Sequence, residues 1–290
     1  MEEMVGNQDT IQSLSNMLDD VEKCPHSFLL TGPTGCGKTT IGRIIADKLG
    51  CVGDDFKEVD SADFRGIDTA RKIRGQIQYV PLNGRCRVWL IDECHKLTND
   101  AQNAFLKMLE DAPKLVYFIL ATTDPQKLLP TIKGRCSTFE LKPLSDKEMM
   151  TLLRSVVREE GGSLVKVVYD QIIQDSLGHP RNALQILEQV LNVDDDKKLE
   201  MAKKSAENLS QSIELCRALI QKKNWKQISG ILKGLKDQDP EGIRRHVIGY
   251  CQSVLLSGEN QAAVVMESFL EPFYDTGMPG LVFACYESIQ

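Results

Sequence analysis

The sequence contains no Cys-x-x-Cys pair, although nine cysteines are scattered along it. Structural zinc sites use closely spaced cysteines, so this spacing argues against a zinc module of that kind. No apolar run approaches the roughly 18 residues that a membrane span needs, and the first residues lack the apolar core of a signal peptide. We therefore expect a cytoplasmic protein with free thiols, no membrane partner and no structural zinc.

An excess of positive charge is also missing, because 41 acidic residues outnumber 35 basic residues and the net charge is −6. An acidic chain does not hold nucleic acid through its overall charge, so any such contact must use a local basic strip. The 290 residues are 42% hydrophobic and 26% charged, which excludes disordered and low-complexity classes and favours two or three folded domains.

Short apolar runs alternate with amphipathic segments in the first half of the chain. We expect strands over residues 27–31, 56–59, 87–91, 116–121 and 139–141, and helices over 5–22, 39–49, 68–79, 99–109, 145–159, 165–177 and 180–191. This alternation predicts a parallel sheet with right-handed crossovers. After Pro143 only helical periodicity continues, with breaks at Asp239-Pro240 and at Gly277–Gly280.

The segment Gly32-Pro33-Thr34-Gly35-Cys36-Gly37-Lys38-Thr39 fits the pattern G-x-x-x-x-G-K-[ST] between a predicted strand and a predicted helix. Backbone N–H groups of such a loop converge on phosphate oxygens. Lys38 is expected to reach the β- and γ-phosphates of a nucleotide, and Thr39 to bind Mg²⁺. The alternative is a glycine-rich turn that only connects two elements, and the match at both flanks argues against it.

Two carboxylates, Asp92 and Glu93, end the apolar run Val88–Ile91. Placing two carboxylates at the end of a buried strand costs free energy unless they bind a cation or take part in a reaction with water. We expect Asp92 to hold Mg²⁺ and Glu93 to polarise the attacking water. The alternative is a solvated strand end that caps the next helix. Thr123 follows another apolar strand and is a candidate for orienting the water or contacting the γ-phosphate. The alternative, which the composition also allows, is a simple turn or an Asx cap before Pro125.

Several segments together resemble the ATPase subunits of sliding-clamp loaders, which belong to the AAA+ class. These segments are Ile91-Asp92-Glu93-Cys94-His95-Lys96-Leu97, Gln102–Glu110, Phe118–Lys127 and Gly134-Arg135-Cys136. The resemblance includes the bacterial γ/τ subunit, the small subunits of replication factor C and the ATPase subunit of phage loaders. It covers residues 4 to about 191 well, and the remainder fits as a helical collar.

The resemblance implies roles for single residues. Val5 lies in a segment expected to pack on adenine, Thr123 matches the first sensor, and Arg181 matches the second sensor on the lid. Arg135 matches an arginine that acts in trans on ATP held by the neighbouring subunit. The expected ATP-binding residues are Val5, Thr34, Gly35, Cys36, Gly37, Lys38, Thr39, Thr40 and Arg181, and the expected catalytic residues are Lys38, Asp92, Glu93, Thr123, Arg135 and Arg181.

The chain departs from the family at two places. Gly134 stands where the family usually has serine, which leaves the local hydrogen bonding of that loop in question. The zinc module of the γ/τ subunit is missing, because Cys51 is followed by Val52-Gly53-Asp54-Asp55. The chain is thus more similar to the phage or replication factor C form, and we expect a phage-type loader in a bacterial or phage-infected cytoplasm.

Residues 65–74 carry four basic side chains against the single acid Asp68. Arg65-Gly66-Ile67-Asp68 resembles the replication factor C segment that faces DNA, so Arg65, Ile67 and Arg71 are the expected DNA contacts. Contacts of this kind follow the phosphate backbone rather than the base sequence. An ordinary solvent-exposed helix face is the alternative on sequence alone.

The sequence therefore predicts an α/β AAA+ ATPase domain (residues 1–142), a small helical lid (143–195) and a helical collar (196–290). The resemblance implies an ATP- and Mg²⁺-dependent clamp-loader subunit that works in a pentameric spiral with other subunits, a ring-shaped clamp and primer–template DNA. Two alternatives stay open: a non-hydrolysing stator of the same assembly, and another AAA+ motor such as a branch-migration helicase. The four histidines are assigned neither metal-binding nor catalytic roles.

Overall fold

The computed structural model describes residues 4–20, 24–61, 66–176, 178–209, 211–236, 238–256, 258–273 and 275–289. Its contacts divide the chain into two compact units, Met1–Leu144 and Ser145–Gln290. Within the described ranges, no helix combines the length and the apolar character needed to cross a membrane.

One parallel sheet of five strands forms the centre of the first unit. Its strands are β1 (Ser27–Thr31), β2 (Phe56–Asp60), β3 (Arg87–Asp92), β4 (Val116–Thr122) and β5 (Ser137–Glu140). Their order across the sheet is β2-β3-β4-β1-β5, and every neighbouring pair is parallel. The carboxyl ends of all five strands therefore lie at one edge. The predicted α/β class and parallel sheet are confirmed.

Helices cover both faces of this sheet. They are α1 (Gln8–Asp19), α2 (Lys38–Lys48), α3 (Ile67–Gln76) and α4 (Asn99–Glu110), with the short α5 (Pro130–Lys133) before β5. Side chains alternate along each strand, so Leu30 and Leu90 pack with α1 and α2 while Leu29 and Ile91 pack with α3 and α4. Both faces are buried, which explains why the strands read as continuous apolar runs.

Some element boundaries differ from the sequence prediction. The strand expected at residues 139–141 runs from Ser137 to Glu140, because its polar start pairs with β1 in the register Phe28↔Ser137. The helix expected at 5–22 spans Gln8–Asp19, and residues 21–23 lie outside the described ranges. The helix expected at 68–79 ends at Gln76.

A buried carboxylate organises the loop that follows α3. Asp55 is fully buried and accepts hydrogen bonds from the backbone N–H groups of Leu82, Asn83 and Gly84 at 2.7–2.8 Å. It also pairs with the buried Arg87 at 3.3 Å. Burial alone disfavours the charged carboxyl, but these donors outweigh it and lower the pKa of Asp55 to about 2.

The second unit is helical throughout the part that the structure describes. Its helices are α6 (Asp146–Glu159), α7 (Lys166–Ser176), α8 (Pro180–Leu191), α9 (Lys198–Leu209), α10 (Gln211–Ile220), α11 (Trp225–Gly234), α12 (Pro240–Leu256), α13 (Gln261–Ser268) and α14 (Gly277–Glu287). A buried ion pair between Arg217 and Asp175, 2.6 Å long, joins α10 to α7. The division into lid and collar at residue 195 stays a prediction.

Two predicted breaks in the second unit are helix starts. Pro240 opens α12, and α14 runs through Gly277–Gly280 with Pro279 in its first turn. Proline is tolerated in a first helical turn because the N–H groups there have no partner within the helix.

The Asp55 cluster predicts a pH-dependent contribution to stability. Because the pKa of Asp55 falls from its ordinary value of 3.8 to about 2, the stabilisation is complete above pH 4 and is lost as the pH falls through about 2. We expect Asp55→Asn to lower the free energy of unfolding at pH 7 by about 3 kcal/mol, since it leaves Arg87 buried without its charge partner. Urea unfolding at several pH values measures both effects.

Asp54→Asn is the matched control, because Asp54 is exposed and its ion pair among the described residues is a 3.7 Å surface contact with Lys57. Its effect should stay within about 0.5 kcal/mol. Equal stability of the two variants at pH 7 would contradict the role of Asp55.

Candidate active site

The loop between β1 and α2 has a backbone that only glycine adopts easily. Gly32, Gly35 and Gly37 have φ angles of 139°, 77° and 91°. A Cβ at Gly32 would lie 2.2 Å from the carbonyl oxygen of Leu141, so a side chain there would push the loop away from the end of β5. The loop conformation is therefore fixed by its glycines, as the motif requires.

Lys38 starts α2 and its side chain is buried against the same loop. Its ammonium donates to the carbonyl oxygens of Gly32 at 2.9 Å and Pro33 at 2.8 Å. The charge therefore lies directly at the loop, and phosphate oxygens could take over these hydrogen bonds. Thr34 and Thr40 are exposed on either side.

Cys36 is buried within the motif and packs with the core on the α1 and α2 face of the sheet. Burial raises the pKa of its thiol, and nearby Lys38 only partly opposes this. An inward-facing, protonated thiol leaves only the backbone of Cys36 for ligand contact.

Thr39 and Asp92 meet at the carboxyl edge of the sheet. The Thr39 hydroxyl donates to Asp92 Oδ2 at 2.6 Å, and the N–H of Glu93 donates to Asp92 Oδ1 at 2.8 Å. Magnesium prefers oxygen ligands and keeps several waters, so one hydroxyl and one carboxylate fit it. Among the described residues no group of three His, Cys, Asp or Glu side chains could hold a metal. Thr39 and Asp92 would therefore share the ion with water and phosphate oxygens.

Glu93 follows β3 in the left-handed conformation, with φ 47° and ψ 40°. The Thr123 hydroxyl donates to its Oε2 at 3.3 Å, so the ends of β3 and β4 bring these two predicted residues together. His95 Nδ1 lies 3.2 Å from the same oxygen. Reasoning from sequence missed His95, and its position two residues after Glu93 was the available signal.

The segment at Val5 is attached to the end of β5 through Asn7. The Asn7 side chain donates to the carbonyl oxygen of Lys142 at 3.0 Å and accepts from its N–H at 2.8 Å. Val5 is half-buried. Lys142 follows Leu141, whose carbonyl oxygen packs against Gly32, so residues 141–142 contact both the Val5 segment and the loop between β1 and α2.

Arg135 lies on the surface after α5. Its guanidinium pairs with Glu110 and donates to the carbonyl oxygen of Thr131 at 3.0 Å, and no residue of the loop 32–39 is among the partners found in the described residues. A Cβ at Gly134 would meet Pro130 O at an ordinary 3.5 Å. A side chain would therefore fit there, so the local packing does not require glycine at this position.

Arg181 is the second residue of α8, in the second unit, and its side chain is exposed. Of the expected DNA contacts, Arg71 is exposed on α3 and forms a 3.2 Å surface pair with Asp68, while Ile67 is half-buried. Arg65 lies outside the described residues. Ala70 and Ile73 bury the opposite side of α3.

Comparison with known proteins relates the chain to bacterial replication proteins. A family model described as "DNA polymerase III, delta subunit" matches residues 54–145. The gamma/tau subunit of DNA polymerase III from Mycobacterium tuberculosis H37Rv is 34% identical over 212 residues, covering 65% of this chain and 36% of the relative. The gamma subunit from Buchnera aphidicola of Schizaphis graminum is 33% identical, covering 66% of this chain and 58% of the relative.

The chain thus spans between about a third and three fifths of the length of these curated relatives. Solved structures show the same fold at low identity. The RuvB Holliday junction branch migration motor of Thermotoga maritima has a TM-score of 0.62 and 21% identity, over 76% of this chain and 78% of that one.

A DNA polymerase III gamma subunit-related protein of Thermotoga maritima has a TM-score of 0.54 and 16% identity, over 95% of this chain and 98% of that one. The AAA+ fold class and the resemblance to clamp-loader ATPase subunits are confirmed.

Proposed function

We propose that this chain, a relative of the AAA+ clamp-loader ATPase subunits, binds and hydrolyses ATP to load a ring-shaped clamp onto primer–template DNA. The observation that carries the proposal is the meeting of Thr39, Asp92, Glu93 and Thr123 beside the glycine loop. This arrangement supplies an anion cradle, a pair of oxygen ligands and a carboxylate base at one edge of the sheet. A connecting turn would need none of these.

The loop backbone from Thr34 to Thr40 would bind the phosphates through its N–H groups. Lys38 would exchange its bonds to Gly32 and Pro33 for β- and γ-phosphate oxygens. Thr39 and Asp92 would hold Mg²⁺, which neutralises charge on the phosphates when bound. Val5 would pack beside the adenine, held by the attachment of Asn7 to β5.

Glu93 would accept a proton from the attacking water, and Thr123 would orient that water or the γ-phosphate. Arg181 would contact the γ-phosphate from the lid. Arg135 would reach the ATP of a neighbouring subunit. Its ion pair with Glu110 holds the guanidinium at the surface, where a neighbouring subunit could approach it. Hydrolysis would then depend on assembly, because one subunit completes the site of the next.

We further propose a pentameric spiral with other loader subunits, in which ATP favours one arrangement and its hydrolysis removes that preference. DNA would lie against Arg65, Ile67 and Arg71. Here the exposed basic side chains of α3 would form a local positive surface on a chain whose net charge is negative. The phage-type origin stays a prediction. The likeness to RuvB concerns the fold alone, so it gives the branch-migration alternative no added support.

Glu93→Gln tests the hydrolytic role. The amide keeps the shape of the carboxylate but accepts no proton, so ATP turnover should fall by about 10²-fold or more while ATP affinity changes less than about twofold. Turnover and nucleotide titration measure the two quantities. Glu159→Gln, an exposed change on α6, is the control and should leave both unaltered. Full turnover by Glu93→Gln would refute the assignment.

Arg135→Ala tests the action across subunits. In the assembled loader, hydrolysis should fall by about 10³-fold with ATP binding nearly intact, because the guanidinium stabilises charge that develops during the reaction. Glu110→Ala is the matched control, since it removes the ion-pair partner and keeps the arginine. A parallel loss of ATP binding in Arg135→Ala would contradict a role confined to hydrolysis.

Arg65→Ala combined with Arg71→Ala tests the DNA surface. We expect weaker primer–template binding and a shallower dependence of log K on log salt, by about one unit of slope for each lost phosphate contact. Fluorescence anisotropy at several salt concentrations gives the slope. Lys226→Ala removes an exposed charge from α11 as the control. An unchanged slope in the double variant would reject this surface.

A further inference from the structure

Two side chains, Thr123 and His95, lie against one oxygen of the Glu93 carboxylate. Thr123 and His95 both approach Oε2, at 3.3 Å and 3.2 Å. His95 Nδ1 also lies 3.0 Å from the Thr122 hydroxyl, which itself accepts from the N–H of Asp124 at 3.0 Å. The Thr123 hydroxyl and the His95 ring thus confine the same carboxylate oxygen from two sides.

The surroundings of His95 favour one of its two tautomers. Its Nδ1 forms a hydrogen bond with the Thr122 hydroxyl and lies 3.2 Å from Glu93 Oε2, which can only accept, so we assign the proton to Nδ1. Thr122 is fully buried, and the His95 side chain is only 11% exposed. Burial lowers the pKa of His95 although Glu93 opposes it, which favours a neutral ring with a fixed tautomer.

The backbone conformation after β3 brings His95 close to Glu93. Glu93 adopts the left-handed conformation, and residues Cys94–Lys96 form a short 3₁₀ turn directly after it. The turn folds His95 back over the Glu93 side chain, and the buried Cys94 anchors it in the core on the α3 and α4 face. A left-handed non-glycine residue costs about 1 kcal/mol or more, and such strain persists where the surroundings hold it.

We propose that His95 is a positioning residue for Glu93: it holds Oε2 and thereby directs Oε1 toward the attacking water. This inference rests on the proposed ATPase function. Thr123, expected to turn toward the water or the γ-phosphate, cannot hold Oε2 at the same time. His95 can, because Thr122 keeps its ring in place from the buried end of β4.

Within the described residues Glu93 Oε1 accepts no hydrogen bond, so it is the oxygen left for the water. A carboxylate that lost His95 would rotate about its terminal torsion and present either oxygen. Misplacement of a reacting group on this scale lowers the rate of the chemical step, and it leaves the affinity for the nucleotide unchanged.

Three substitutions at His95 separate positioning from packing. His95→Ala removes the imidazole, and we expect single-turnover hydrolysis by the assembled loader to fall by about 10-fold, with ATP affinity within about twofold. His95→Asn places an amide N–H where Nδ1 lies and should recover most of the loss. His95→Gln places its amide where Nε2 lies and should behave as His95→Ala.

Equal rates in His95→Asn and His95→Gln, at matched thermal stability, would overturn the proposal, because packing alone does not distinguish them. So would wild-type rates in His95→Ala. If the wild-type chain bound no ATP, and the assembled loader containing it hydrolysed none, the proposed function itself would fail, which keeps the two failures distinct.

A second measurement does not depend on activity. Long-range ¹H–¹⁵N correlation spectra of the labelled chain identify the protonated ring nitrogen, and the His95 signals are those absent from His95→Asn. We expect protonated Nδ1 and a change of its chemical shift in Glu93→Gln. Protonation on Nε2, or a signal indifferent to Glu93→Gln, would contradict the contact.

Discussion

The 2.6 Å hydrogen bond between Thr39 and Asp92 joins α2, the helix that follows β1, to the end of β3. β1 and β3 are not neighbours in the sheet. β4 lies between them, and its own end delivers Thr122 and Thr123 to the same place. Because all strands are parallel, their carboxyl ends lie at one edge of the sheet. Polar side chains that follow the buried strands therefore lie close together at this edge. The candidate site depends on this constraint more than on any single residue.

The opposite edge of the sheet is stabilised differently. Asp55 precedes β2 and Arg87 begins β3, so their buried pair lies at the amino ends of these strands. Its carboxylate is fully occupied by backbone donors and a guanidinium, which makes it a structural charge. At the carboxyl edge, by contrast, one oxygen of the Glu93 carboxylate has no hydrogen-bond donor among the residues that the structure describes. The Asp55 carboxylate thus stabilises the fold at one edge of the sheet, and the Glu93 carboxylate at the other edge belongs to the candidate site.

The sequence alone located the glycine loop, the paired acids after β3 and Thr123, because each follows an apolar run that reads as a buried strand. Strand order could not be predicted, since it depends on pairing between runs of similar composition. The contact of His95 with Glu93 escaped prediction because it needs a left-handed backbone at a glutamate, a conformation that residue type disfavours. The pair of Arg135 and Glu110 depends on how α4 and α5 meet, which no local pattern encodes.

The end of β5 touches two parts of the candidate site at once. Leu141 packs against Gly32 of the glycine loop, and the backbone of Lys142 forms two hydrogen bonds with the side chain of Asn7, near Val5. The same backbone continues after only two further residues into Ser145, where the capping box of α6 begins. Residues 141–145 therefore connect the first helix of the second unit directly to the two contacts that support the glycine loop and the Val5 segment.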